Sequence, residues 1–171
     1  VRSRRQRQMC IRDRYMSLNS ENLDLQSFWK SFDELSKLEL YEVLSFRQSI
    51  FVVEQKSWYQ DADGLDEISD HLLLKKEGHL VGYLRLTPPG IKYKTPSIGR
   101  IAVIDSLRGL SIGSRLVDEG LKRSSENYMT EKSTISAQEY LIKFYEGHGF
   151  KVNGEVYDED GIPHIQMIRN G

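Results

Sequence analysis

The sequence predicts one α/β domain built on a mixed sheet, and three observations carry that prediction. Short apolar, β-branched runs alternate with stretches of helical spacing in the order β, helix, ββ, β-loop-helix, β-helix, ββ. The 171 residues are enough for one sizeable core. No repeat, low-complexity tract or linker divides residues 16–171, so they are read as a single domain. With 39% hydrophobic and 29% charged residues, the composition is that of a folded chain and not a disordered one.

Each element follows from local chemistry. Phe28-Trp29-Lys30-Ser31-Phe32 reads as a first strand. Ser36 followed three residues later by Glu39 is a capping box, which starts a helix. Leu40, Val43, Leu44, Arg47, Ile50 and Phe51 keep helical spacing, with Arg47 the odd polar member of that face. Val52-Val53-Glu54-Gln55 leaves the helix, and an acidic loop spans Tyr59 to Asp66. His71–Lys75 and Leu80–Leu86 pair as a hairpin around Glu77-Gly78, and Pro88-Pro89-Gly90 stops the second strand. Ile98–Ile104 is the central strand. A helix then runs to about Ser125, Thr134–Ala137 is a strand, and Gln138–His148 is a helix ended by Gly147 and Gly149. Strands Lys151–Tyr157 and Ile165–Ile168 flank a turn at residues 158–163.

The stretch after the central strand carries the strongest chemical signal. Arg108-Gly109-Leu110-Ser111-Ile112-Gly113-Ser114 is a small-residue loop running straight into a helix that keeps Leu116, Val117 and Leu121 on one face. Strand, loop and helix start aim unpaired backbone N–H groups at one spot, where the helix dipole also favours an anion such as phosphate. Arg108 adds a charge-assisted donor. A plain surface connection is the bland reading of the same residues.

Other features exclude functions. No apolar run approaches the ~20 residues of a membrane span. Cys10 is the single cysteine, so no disulfide framework and no zinc cluster is expected. Asp61-x-Asp63-Gly64-x-Asp66 lacks both the glycine at the sixth position and the glutamate at the twelfth, so it fails the calcium-loop pattern. The loop is expected to be solvated or to attract a cationic amine. Residues 1–15 hold six arginines and one acid, and Met9-Cys10-Ile11-Arg12-Asp13-Arg14 resembles a translated sequencing adapter. They are read as adventitious, with a natural start at Met16; without them the chain has 18 basic and 24 acidic residues. No targeting signal remains, so a cytoplasmic location is expected. Phe28, Trp29 and Trp58 read as core or pocket wall, not as a nucleic-acid platform.

Four separated motifs, in order, resemble the ElaA-type branch of the GNAT superfamily of N-acetyltransferases. Arg47-Gln48-Ser49-Ile50-Phe51-Val52-Val53-Glu54-Gln55 resembles its RxxVFVVEQ segment, and Tyr59 to Asp66 its YQDxDGxD. Ala137-Gln138, Phe144-Tyr145 and Gly149-Phe150 resemble AQxxxxxFYxxxGF, and Glu159 to Met167 resembles EDGIPHIxM. Arg108-x-x-Ser111-x-Gly113 resembles the superfamily's acyl-CoA pyrophosphate loop, with Ser111 in place of its first glycine. Lys56-Ser57-Trp58 also departs from the branch, at the mouth of the substrate pocket.

The resemblance implies the GNAT fold, a mixed, mostly antiparallel sheet of six to seven strands flanked by helices. It implies an acyl-CoA-dependent N-acetyltransferase that uses acetyl-CoA as co-substrate and no metal, with a small-molecule or peptide amine as acceptor. With no cysteine in residues 16–171, the implied route is direct attack by the amine in a ternary complex. The backbone of Ile101, Ala102 and Val103 would meet pantetheine and the carbonyl oxygen, and residues 108–114 the pyrophosphate. Tyr145 would protonate the leaving thiolate; periodicity alone also fits a half-buried core tyrosine. The proton of the amine falls to Glu54, His71, Glu159 or His164, each with a structural alternative. Glu54 leads, because it leaves the first helix toward the expected acceptor side. A non-catalytic acyl-CoA-binding or protein-interaction module on the same fold is the rival reading. No nucleic-acid or membrane partner is expected, and the oligomeric state is left open.

Overall fold

Every strand ladder in the structure is antiparallel, and the sheet becomes mixed at a single seam. The computed structural model describes residues 23–171; the adventitious reading of residues 1–15 lies outside them. In chain order the elements are β1 (Leu25–Ser31), α1 (Lys37–Arg47), β2 (Asp70–Lys76), β3 (His79–Thr87), β4 (Ser97–Val103), α2 (Ile112–Tyr128) and β5 (Ser133–Gln138). They continue with α3 (Ile142–Glu146), β6 (Lys151–Val152), β7 (Tyr157–Glu159) and β8 (Ile162–Arg169). One half-sheet has the order β1-β2-β3-β4; in the other, β5, β6 and β7 all pair with β8. The halves meet where the Thr134 amide donates to the Pro96 carbonyl at 3.2 Å, beside a Thr95–Thr134 hydroxyl contact of 2.7 Å. From there β4 and β5 run the same way, with no ladder between them. This is the mixed, mostly antiparallel sheet that the sequence implies.

The expected capping box starts α1: the Glu39 amide donates to Ser36 Oγ at 3.2 Å, and the Ser36 amide to Glu39 Oε2 at 3.0 Å. Val43 then packs on Leu73, Leu80 and Tyr83 on one side of the first half-sheet. On the other side α2 lays Leu116 and Val117 over Leu84 and Ile98, in a core that runs on to Phe150, Ile165 and Met167. Gly120 permits the close approach. A Cβ there would lie 2.8 Å from Leu84 Cδ1 and 3.1 Å from Ile98 Cγ2.

Four elements differ from expectation. The helix through Arg47 does not end near Val52; it widens into a π-helical turn over Gln48–Glu54, a form that clusters at functional sites. The expected helix over 138–148 is a 3-10 turn at Glu139–Leu141 followed by the five residues of α3. The strand expected over 151–157 stops at Val152, because Gly154 takes φ 107. Finally, β8 starts at Ile162, three residues early, with Pro163 opposite Asp158. Trp29 packs against the core as expected, whereas Phe28 and Trp58 are 41% and 82% exposed. No helix of the described residues is long and apolar enough to cross a membrane.

Candidate active site

Local backbone irregularity opens the site. Tyr83 pairs with Ala102 and Arg85 with Gly99, so Arg100 and Ile101 together oppose Leu84 alone. Such a bulge bends its strand and frees its backbone groups. Arg100 takes φ 52 to make it. Between the bent β4 and β5 lies a cleft of about 460 Å³. It brings together Ile101, Ala102, Val103, Arg108, Glu54, Tyr145, Glu159 and His164, all singled out in the sequence. Gly109–Ser114 and His71 are outside its lining.

At one end, a 3-10 turn at Asp105–Leu107 leads to Gly109 at φ 80 and Ser111 at φ 59. The serine thus occupies the left-handed region that its glycine counterpart adopts more freely. Its carbonyl accepts from the Arg115 amide at 3.1 Å and opens α2. The first-turn amides of Ile112, Gly113 and Ser114 therefore have no partner within the helix. Arg108 turns toward the cleft. Its Nη1 and Nη2 donate to the Glu54 carboxylate at 2.6 and 3.0 Å, and its Nε donates to the Val103 carbonyl at 3.0 Å.

Tyr145 stands deep in the same space. It is 8% exposed, edge-on to Phe144 and Phe150 at 5.0 and 5.9 Å between centroids. No residue in the described structure hydrogen-bonds its hydroxyl, and burial pushes the phenol well above its ordinary pKa, so it stays protonated. His71 is different: it is sealed in the core. Its Nε2 donates to the Asp66 carbonyl at 2.9 Å, so its Nδ1 accepts from the Tyr83 hydroxyl at 2.7 Å. Burial lowers its pKa and keeps it neutral. That arrangement makes His71 structural.

At the other end, Glu159 accepts from Ser136 Oγ at 2.6 Å. Burial alone would raise its pKa, but the Ser136 bond and the Lys92 charge outweigh that and lower it. His164 Nδ1 donates to the Ile162 carbonyl at 2.8 Å, which leaves Nε2 as the acceptor of the neutral ring.

The acidic loop is solvated at Gln60, Ala62, Asp63 and Gly64, as expected, but its carboxylates are already matched. Its three aspartates close a ring with three arginines. Arg47 bonds Asp61 at 2.7 Å and Asp66 at 2.6 Å; Arg85 bonds Asp66 at 2.8 Å and Asp63 at 2.7 Å. Arg100 completes it through Asp61 at 2.7 Å and Asp63 at 3.2 Å. Burial alone would raise the pKa of Asp63 and Asp66, yet the arginine bonds and charges hold both below the usual carboxylate range. Arg47, fully buried, is the polar residue that broke the apolar face of α1. Tyr59 lies under the Arg100 guanidinium at 5.7 Å, and burial raises its pKa to about 12. Arg85, Arg100, Tyr59 and Lys92 line the cleft without having been singled out. An arginine between Leu84 and Leu86 was the available signal for the first.

A family model described as an acetyltransferase (GNAT) domain matches residues 38–170. The chain belongs to the GNAT acetyltransferase family. Within that family it is closely related to the ElaA branch. It is 40% identical to protein ElaA of Escherichia coli over 138 residues, 80% of this chain and 90% of ElaA. A UPF0039 protein of Synechocystis is 39% identical over 147 residues, 85% and 96% of the two chains. Among solved structures, an acyl-CoA N-acyltransferase from Pseudomonas aeruginosa superposes with a TM-score of 0.82 at 37% identity, over 85% of this chain and 99% of that one. The crystal structure of E. coli ElaA gives a TM-score of 0.80 over the same shares. This GNAT protein is thus an acyl-CoA-dependent acetyltransferase, and the cleft between β4 and β5 is its candidate active site.

Proposed function

We propose that the protein moves an acetyl group from acetyl-CoA to an amine by direct attack within a ternary complex. The observation that carries this reading is the phenol of Tyr145, protonated and unpartnered within the described residues, in a cleft that the β4 bulge opens. The first-turn amides of α2 and Arg108 take the diphosphate, as a helix start and a guanidinium favour an anion. The edge of β4 from Ile101 to Val103, which has no ladder to β5, lies along pantetheine and polarises the thioester carbonyl. The amine loses its proton to Glu54, directly or through water, having entered past Glu159 and His164. Its nitrogen bonds to the carbonyl carbon, the C–S bond breaks, the sulfur takes the Tyr145 proton, and the second proton that the nitrogen sheds returns through water to the phenolate.

In bulk water the transfer from phenol to sulfur is uphill, since a thiol near 8.5 is the stronger acid. Inside the cleft, burial disfavours the thiolate as it does the phenolate, so the thiolate that leaves is a stronger base there than in water. Glu54 and the diphosphate compete for one guanidinium. Binding of acyl-CoA draws Arg108 away and releases the Glu54 carboxylate for the amine.

The test is Tyr145→Phe. Turnover, followed by thiol release on an amine panel, should fall about 10²- to 10⁴-fold, with acetyl-CoA affinity by calorimetry changed less than threefold. An unchanged rate removes Tyr145 from the role. Binding of acetyl-CoA with no turnover on any amine favours a non-catalytic module.

A further inference from the structure

The cleft is lined by more charge than an alkylamine needs, and most of it is already matched. Arg85 and Arg100 are held by Asp61, Asp63 and Asp66. Arg108 is clasped by Glu54 at the opposite end. Three charged side chains of the lining remain: Lys92, Glu159 and Asp160. Asp160 sits at an exposed turn, where its backbone carbonyl accepts from Ser57 Oγ at 2.7 Å. Lys92 and Glu159 lie close enough to feel each other's charge, yet they form no ion pair. Lys92 is an exposed member of the lining whose ammonium forms an ion pair with no described residue and stands over the Tyr93 ring at 5.6 Å. Glu159 accepts from Ser136 at Oε2, with the Tyr157 hydroxyl beside the same carboxylate.

An unmatched lysine is out of place in a pocket for a simple ammonium, because like charges at a few ångströms repel. It fits if the acceptor brings an anion of its own. We propose that the acceptor is an amine that also carries a carboxylate, with Lys92 holding the carboxylate and Glu159 receiving the ammonium. The space favours a free amino acid over a peptide: a cleft of about 460 Å³ also has to admit the thioester arm. This inference rests on the acetyl-transfer reading above, and it adds the chemical class of the acceptor. Lys92 is then a specificity-determining residue and Glu159 the carboxylate that meets the ammonium, with water carrying its proton on to Glu54.

The test compares matched amines with and without the carboxylate: tyrosine and tyramine, histidine and histamine, lysine and cadaverine. Thiol release from acetyl-CoA is the readout, with the full chain. The carboxylated member of at least one pair should have a kcat/KM about tenfold or more above its partner. Lys92→Met should remove that preference by raising KM for the carboxylated member at least about tenfold more than for its decarboxylated partner, and Lys92→Arg should restore it in part. Glu159→Gln should slow both members. A preference for the decarboxylated amines, or equal effects of Lys92→Met on both members, overturns the inference and leaves acetyl transfer standing. Turnover of no amine, with acetyl-CoA still bound, overturns the transfer reading and this inference together.

Discussion

In the proposed mechanism Arg108 has two claimants, Glu54 and the diphosphate, and the competition between them makes a residue-scale prediction. Its pKa is raised, first by the hydrogen bonds to Glu54. Both side chains are about two-fifths exposed, at 39% and 44%, so the exchange with a diphosphate needs no buried charge to be abandoned. Glu54→Gln should therefore tighten CoA binding severalfold in calorimetry while lowering turnover about tenfold or more. A loss of both would mean that Glu54 positions Arg108 for the anion instead of withholding it. That Tyr145, Glu54 and Arg108 come together in one cleft was legible in the sequence, because each stands inside a motif whose order and spacing are distinctive. Lys92 and Arg100 were not. Their meaning comes from partners or from a missing partner across the fold, and no linear pattern encodes that.

Elements were legible where local chemistry decides them. The α1 cap, the β2–β3 hairpin and the strand-loop-helix at β4 and α2 are all governed by residues a few positions apart. The last third of the chain was not, since α3 is five residues long and β6 only two. Such short pieces hold their shape through packing on β5 and β8, not through propensity. Ser111 sits at the junction that matters most, in a conformation that penalises a side chain. Ser111→Gly should stabilise the protein by about 1 kcal/mol, read as a rise in Tm of about 2–4 °C. Its effect on CoA affinity should be small, because the amides proposed to take the diphosphate keep their places. Near that junction, Ser114 Oγ lies 3.1 Å from His148 Nε2, whose Nδ1 meets Asp118 at 2.9 Å. This chain ties the loop end of α2 to the residues that follow Tyr145.

At the scale of the molecule, the arginine–aspartate ring joins α1, the loop after it, β3 and β4, four segments far apart in sequence. Individual charges were visible in the sequence; the closure of the ring was not, because it depends on the bulge that turns Arg100 inward. The ring predicts acid sensitivity. Asp63 and Asp66 have folded-state pKa values below their unfolded ones, so their contribution is complete above the unfolded carboxylate pKa and is lost as pH falls. Denaturant midpoints should be flat from about pH 7 to 5 and drop steeply below about pH 4. In Asp66→Ala, with Arg47 and Arg85 left short of a counter-charge, the protein should lose about 3–5 kcal/mol at pH 7 and show a shallower acid limb.

The Pro96–Thr134 stitch has a mechanical side as well. Only one main-chain hydrogen bond crosses that line among the described residues, at the foot of the gap and not along its length. What joins the lips of the slot is therefore the apolar floor beneath them, where Ile135 and Met167 of one half-sheet share a core with Leu84 and Ile98 of the other, so a cut into that floor should loosen the slot while every ladder on either side stays intact.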